Sequence, residues 1–277
     1  MTRAAASAWR RLRTRRRPLL AGEILVVLCL LKVYDYVRAH AEVRAGAALQ
    51  HGRDLLAFEG TLRIDVERSL NHWAHRHEVV VFLASHWYQF VHIPLTLAVL
   101  AWVWVRHPGH YRRSRNALVL INVLGLAVFL LLPVAPPRLL PGGDFLDSVA
   151  LAGFASNHGG PIPADQYGAM PSLHLAWAVW SAVVVRRIIG RPRWRLAWLA
   201  YPIMTTVAVV LTGNHYLLDA VAGAAVALFA LSLWPVPVTA ARPRIAAASA
   251  PPVTDLRSLP AEPARDETAA SLAQARP

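Results

Sequence analysis

The chain has a single cysteine, Cys29, so no disulfide can close within it and no cysteine-ligated metal site can form. Charge is scarce as well. Asp, Glu, Lys and Arg make up 16% of the residues, against roughly a quarter in a typical soluble domain. The scarcity is uneven: residues 142–170 contain no Lys or Arg, and the turn at 212–214 holds no base. What fills the chain instead is apolar, 56% of 277 residues, with a mean hydropathy of +0.37. Several apolar runs approach the roughly 20 residues that cross a bilayer core. The formal net charge is +13, but the arginines fall in blocks beside the apolar runs. The positive-inside rule accounts for such blocks, so nucleic acid is not an expected partner.

The pattern predicts an all-α polytopic membrane protein with six transmembrane helices. A basic, cytoplasmic N-terminus (1–17) leads into a membrane catalytic domain (18–235), and a tail rich in Ala, Pro and Arg (236–277) is expected to be disordered and cytoplasmic. The first span runs from Pro18 to about Val37 and is read as uncleaved, although Ala39-His40-Ala41 has a small-x-small form; Glu23, Lys32 and Asp35 interrupt it. Residues 39–78 carry apolar side chains at helical spacing and read as an extracytoplasmic amphipathic segment. Its His72, His75 and His77 read as an interfacial turn, with no carboxylate or cysteine to complete a metal site. A second span ends near Val105 with a kink at Pro94, and a third runs from Asn116 to Pro133. The fourth, fifth and sixth span about 171–185, 196–211 and 215–234. The arginine blocks then fall on one side, which places both termini in the cytoplasm, the protein in the cell membrane, and the polar loops at the extracytoplasmic face.

Three stretches put chemistry at that face. His215 and Asp219 are four residues apart, one turn of a helix, so the carboxylate can fix one imidazole nitrogen and leave the other as nucleophile or base. His174 sits in the first turn of a helix opened by Pro171-Ser172, where backbone N–H groups suit a phosphate and Ser172 serves as cap and amide donor. Arg138, among the prolines of 133–141, offers a planar fork for phosphoryl oxygens. Asn214 and Tyr167 are weaker candidates for substrate contact. His86, His92 and His110 read as interfacial histidines, and Gly223 as a point of close helix packing. Two histidines, an oriented carboxylate and an arginine suit phosphoryl transfer without metal or cofactor, with His215 as nucleophile and His174 as acid and base. Zinc held by His174, His215 and Asp219 is the competing reading of the same residues.

Pro136-Pro137-Arg138, Pro171-Ser172-Leu173-His174 and His215-x-x-x-Asp219 resemble the three motifs of the type-2 phosphatidic acid phosphatase superfamily. The pattern is most similar to its branch resembling fungal inositol phosphorylceramide synthase and sphingomyelin synthase. The resemblance implies a six-helix membrane bundle and a lipid phosphate substrate reacting through a phosphohistidine at His215. The chain departs from the phosphatase pattern at three positions. Leu131 stands where the first motif has lysine, Val209 where the third has an added arginine, and Leu173 where the second has glycine. Fewer charges favour a phosphodiester donor and an inositol-phosphotransferase-like reaction. A lipid phosphate phosphatase is the alternative within the family, and a non-enzymatic transporter or lipid-binding protein is the rival outside it.

Overall fold

The computed structural model describes residues 17–153, 166–190 and 197–238. The expectations for the basic N-terminus to residue 16, for residues 154–165 of the long loop, for the arginines at 191, 193 and 195, and for the tail from 239 lie outside the described residues.

Among the described residues the chain is helical, and its one bridged pair of extended residues is Val134 with Gly168. In order come α1 (Leu20–Val43), α2 (Ala45–Thr61), α3 (Glu67–His75), α4 (Glu78–Phe90), α5 (His92–Arg106) and α6 (Pro108–Leu131). A 3-10 turn at Pro137–Leu139 and the short α7 (Ser148–Leu151) precede α8 (Leu173–Ile189), α9 (Ala197–Leu211) and α10 (Leu217–Leu233).

Helix α8 is the hub. It packs against α5, α6, α9 and α10. Its sequence explains why: Leu173, Ala176, Trp180, Val184 and Ile188 recur at three- and four-residue spacing and are buried in one cluster with Ile121, Leu126 and Phe129 of α6 and Ala227, Ala230 and Leu231 of α10. Trp180 is fully buried, and its indole N–H donates to the Ser114 carbonyl at 2.9 Å, so the largest side chain of the cluster is also satisfied. Helices α2 and α3 repeat the same spacing with an unusual content. Ala48, Gly52 and Glu59 form the buried face of α2, and Glu67, Asn71 and Ala74 that of α3, so two carboxyls occupy positions that the helical period assigns to the core.

A six-span bundle is not what this structure contains. Among the described residues one helix, α6, is long and apolar enough to cross a bilayer, with 24 residues and a mean hydropathy of 1.9. Helices α4 and α5 meet that standard only together, and they are bent by 46° at the break between them. That break falls at Val91, and Pro94 follows in the first turn of α5, where its missing N–H costs nothing; the expected proline kink inside one span is instead a joint between two helices. Among the described residues the expected fourth, fifth and sixth spans are helices of 17, 15 and 17 residues. At the helical rise they reach about 22–26 Å, short of a hydrocarbon core of roughly 30 Å. Helix α1 has 24 residues but carries Glu23, Lys32, Asp35, Arg38 and Glu42. Glu23 is paired inside the bundle, with Arg115 at 2.7 Å and the Tyr111 hydroxyl at 2.9 Å. Helix α6 begins at Pro108 rather than Asn116, so Arg112, Arg113 and Arg115 lie on a helix and not in a loop. The topology falls with the span count: termini on one cytoplasmic side, an extracytoplasmic site face and a multi-pass location in the cell membrane all rested on six crossings.

Candidate active site

The two motif helices and the segment after α6 are joined by backbone bonds. Val134 donates its N–H to the Tyr167 carbonyl at 2.7 Å, and Ala169 returns one to the Val134 carbonyl at 3.1 Å. Tyr167 thus enters the site through its backbone. Ala135 donates to the Ala48 carbonyl of α2 at 2.9 Å, and Arg138 donates its N–H to the Gly213 carbonyl at 3.0 Å. The Ser172 N–H reaches the Asp219 carbonyl at 3.0 Å, which fixes the start of α8 against the first turn of α10. Ser172 is the cap of α8, and its hydroxyl accepts a long bond, 3.4 Å, from the Leu175 N–H.

These ties bring His174, His215, Asp219, Arg138, Ser172 and Asn214 together. Nδ1 of His215 lies 3.1 Å from Oδ2 of Asp219 and 3.0 Å from the Ala169 carbonyl. Both partners are acceptors, so the proton of His215 belongs on Nδ1 and the lone pair on Nε2. Nε2 lies 3.2 Å from Nδ1 of His174, which is then the donor of that bond. The guanidinium of Arg138 is 7% exposed; Nε donates to Oδ1 of Asn214 at 2.8 Å and Nη1 to Oδ2 of Asp147 at 2.7 Å. Asn214 therefore orients the arginine. Its own side-chain amide donates to the Thr212 hydroxyl at 2.9 Å.

Burial sets the protonation states. It pushes His215 down to about 4, opposed by the bond to the Ala169 carbonyl and aided by Arg138. It pushes His174 down to about 3, with His215 beside it adding to the fall. Burial raises the Asp219 carboxyl well above its usual range, while the bond from the Tyr216 N–H works the other way. At neutral pH both imidazoles are uncharged. A neutral imidazole with Nδ1–H held by Oδ2 of the Asp219 carboxyl can present Nε2 to an electrophile, and a second imidazole can carry a proton.

Several groups at the site were not legible as such. His92, read as interfacial, is 2% exposed. Its ring stands edge-on to His174 with centroids 4.6 Å apart, and neither of its nitrogens has a hydrogen-bond partner among the described residues. Tyr88, one turn earlier on α4, stacks on His174 at 4.7 Å. The Tyr88-x-x-x-His92 spacing was the available signal, but the break at Val91 lies between them. Asp147 pairs with Arg138 from inside a stretch that reads only as loop. Glu59 and Glu67 reach the first turn of α10 from α2 and α3. His72 and His75 are fastened to the loop rather than forming a free turn: His72 bonds the Asp144 carbonyl and His75 the Ser148 hydroxyl, each at 2.7 Å.

A sequence profile described as the PAP2 superfamily matches residues 53–233, more than half of the chain and the whole of the site just described. No curated protein and no solved structure matches the chain.

Proposed function

Because this chain belongs to the PAP2 superfamily, we propose that it transfers a phosphoryl group from a lipid-linked phosphate ester by way of a phosphohistidine at His215. The observation that carries the reading is the chain of bonds from Asp219 through His215 to His174, with Arg138 anchored beside it. Nε2 of His215, released from its bond with Nδ1 of His174, attacks phosphorus, and the bond from phosphorus to the leaving oxygen breaks. His174, which takes up a proton from solvent as the anionic phosphate binds, gives that proton to the leaving oxygen. In the second half, water or an alcohol gives its proton to His174 while its oxygen takes the phosphoryl group and the N–P bond breaks. Arg138 holds the phosphoryl oxygens, and the chemistry otherwise rests on positioning. A bound anionic phosphoryl group supplies the opposite charge that His174 lacks in the free site, which raises its proton affinity for the acid step.

The finer proposal is an inositol-phosphotransferase-like reaction on a phosphodiester donor. Leu131 and Val209 leave no second or third cation in the motifs, and Asp147 offsets part of the charge of Arg138. A singly charged diester suits that balance better than a doubly charged monoester.

The test gives the protein phosphorus-labelled lipid monoesters and diesters in mixed micelles with a chelator present. We expect headgroup transfer to an added alcohol from the diester, and a protein-bound label that is stable to alkali and released by acid. Release of free phosphate from the monoester alone would make it a phosphatase. Label stable to acid, or none with turnover proceeding, would sink the histidine intermediate. The pH dependence is a separate check. kcat/KM reports the free enzyme, so it should show no acid limb between pH 7 and about 5 and fall only as His215 takes a proton near 4. An acid limb centred near 6.5 would contradict a buried, neutral His215.

A further inference from the structure

Three consecutive backbone N–H groups at the start of α10 each end on a carboxylate oxygen, and the three carboxylates come from three helices. Tyr216 donates to Oδ2 of Asp219 at 3.0 Å, Leu217 to Oε1 of Glu67 at 2.7 Å, and Leu218 to Oε1 of Glu59 at 2.7 Å. The first turn of a helix has no internal acceptors for these donors, and its positive end favours negative charge. Glu59, Glu67 and Asp219 are each 0% exposed. Their other oxygens, Oε2, Oε2 and Oδ1, find no donor on the protein among the described residues.

Three buried carboxylates around one helix end disfavour one another as ions, because burial weakens the screening between like charges. The charged groups that act on Glu59 are Glu67 from α3 and Asp219 from α10, both acids; Tyr216 of α10, which feels all three, is neutral with its hydroxyl spent on the Ala135 carbonyl. Glu59 and Glu67 meet at one helix turn, each spending Oε1 on one of two consecutive amides and leaving Oε2 buried. A proton on one Oε2 removes one of the charges.

We propose that Glu59 and Glu67 are positioning residues: two buried carboxyls that clamp the first turn of α10 and so fix the aim of His215. The path is short. The clamped amides belong to Leu217 and Leu218, Asp219 is the next residue, and its carboxylate sets the ring of His215. The clamp works while the Glu59 carboxyl holds its proton and fails when it ionises. Burial first, then the neighbouring acids, carry Glu59 from its ordinary 4.5 to about 8. Folding therefore retains a proton that the unfolded chain releases. The stability this gives is full below 4.5 and is lost as pH rises through about 8.

The clamp rests on His215 as nucleophile, so its test has one arm that reads activity and one that does not. Glu59→Gln keeps an acceptor for Leu218 and adds an amide donor, imitating the protonated carboxyl. Its kcat at pH 7 should stay within about twofold of wild type, and it should lack the alkaline fall near 8 that the clamp predicts for wild type. Glu59→Ala should lower kcat about tenfold to a hundredfold with KM little changed, as a small misplacement of a reacting group does. Amide hydrogen exchange at 216–218 should speed up in Glu59→Ala and stay slow in Glu59→Gln, whatever substrate is used. Wild-type kcat and slow exchange in Glu59→Ala would overturn the clamp, as would an unchanged alkaline limb in Glu59→Gln. A wild-type protein that turns over no lipid phosphate sinks the function and leaves the exchange arm to decide the clamp.

Discussion

Replacing His215 with alanine should lower turnover by roughly six orders of magnitude, the scale on which an enzyme loses its nucleophile while its binding groups remain. No other group among the described residues stands in the right place. His174 offers Nδ1 to His215, and its own ring is packed between Tyr88 and His92. The substitution leaves Asp219 its bond from the Tyr216 N–H and opens a cavity the size of an imidazole, so the variant should fold with a modest loss of stability. The measurement is a single-turnover assay with the labelled diester, alongside an unfolding curve. We expect no protein-bound label and no product above background. Activity within tenfold of wild type in a folded His215→Ala protein would remove the histidine from the mechanism. His215→Gln separates shape from chemistry: it fills the cavity, has no imidazole nitrogen, and should be as inactive as the alanine variant.

The second large effect is structural. A side chain at Gly223 would put its Cβ 2.2 Å from the Ser172 carbonyl oxygen, 3.0 Å from its carbon and 3.3 Å from its nitrogen. All three are backbone atoms, so none can rotate away. Gly223 lies one turn beyond Asp219 on the same face of α10, and Asp219 accepts the Ser172 N–H there at 3.0 Å. Gly223→Val must part α8 from α10 at the point where His174 and His215 meet. Overpacking a well-filled contact costs about 1–3 kcal/mol, and a clash with fixed backbone belongs at or above the top of that range. The expected result is a lowered unfolding midpoint and activity lost along with it. Gly125 is the internal comparison. A Cβ there meets the Leu173 side chain at 2.6 Å, whose end can swing aside, so Gly125→Ala should cost far less. Equal stability losses at the two positions would contradict the distinction between rigid and movable neighbours.

The site was legible where its residues announce themselves locally. The four-residue spacing of His215 and Asp219, the capped helix start before His174 and the proline-bound Arg138 are short-range signals, and folding brings them within hydrogen-bond reach. What the sequence hid depends on long-range contact. Glu59 and Glu67 lie about 150 residues before the amides they hold, in helices whose charged residues look like an outer face. His92 looks like any histidine near the end of an apolar run until α4 and α5 part at Val91 and turn it onto His174. The span count failed for a related reason. An apolar run records burial of any kind, and α8 and α10 spend theirs on Trp180, Val184, Ala227 and Leu231 inside the bundle. Run length also ignores breaks, so two helices bent by 46° read as one.

The backbone joint between Ser172 and α10 bears on how this chain can be recombined with its relatives. With a carbonyl of one segment seated where the other has no side chain at all, the segments 166–190 and 213–233 behave as a matched pair of parts. A chimera that imports the first from a homologue without the second inherits a socket cut for a different plug. Exchange of both together preserves the fit, so the natural unit of recombination in this protein is the pair, with Gly223 and Ser172 from the same parent.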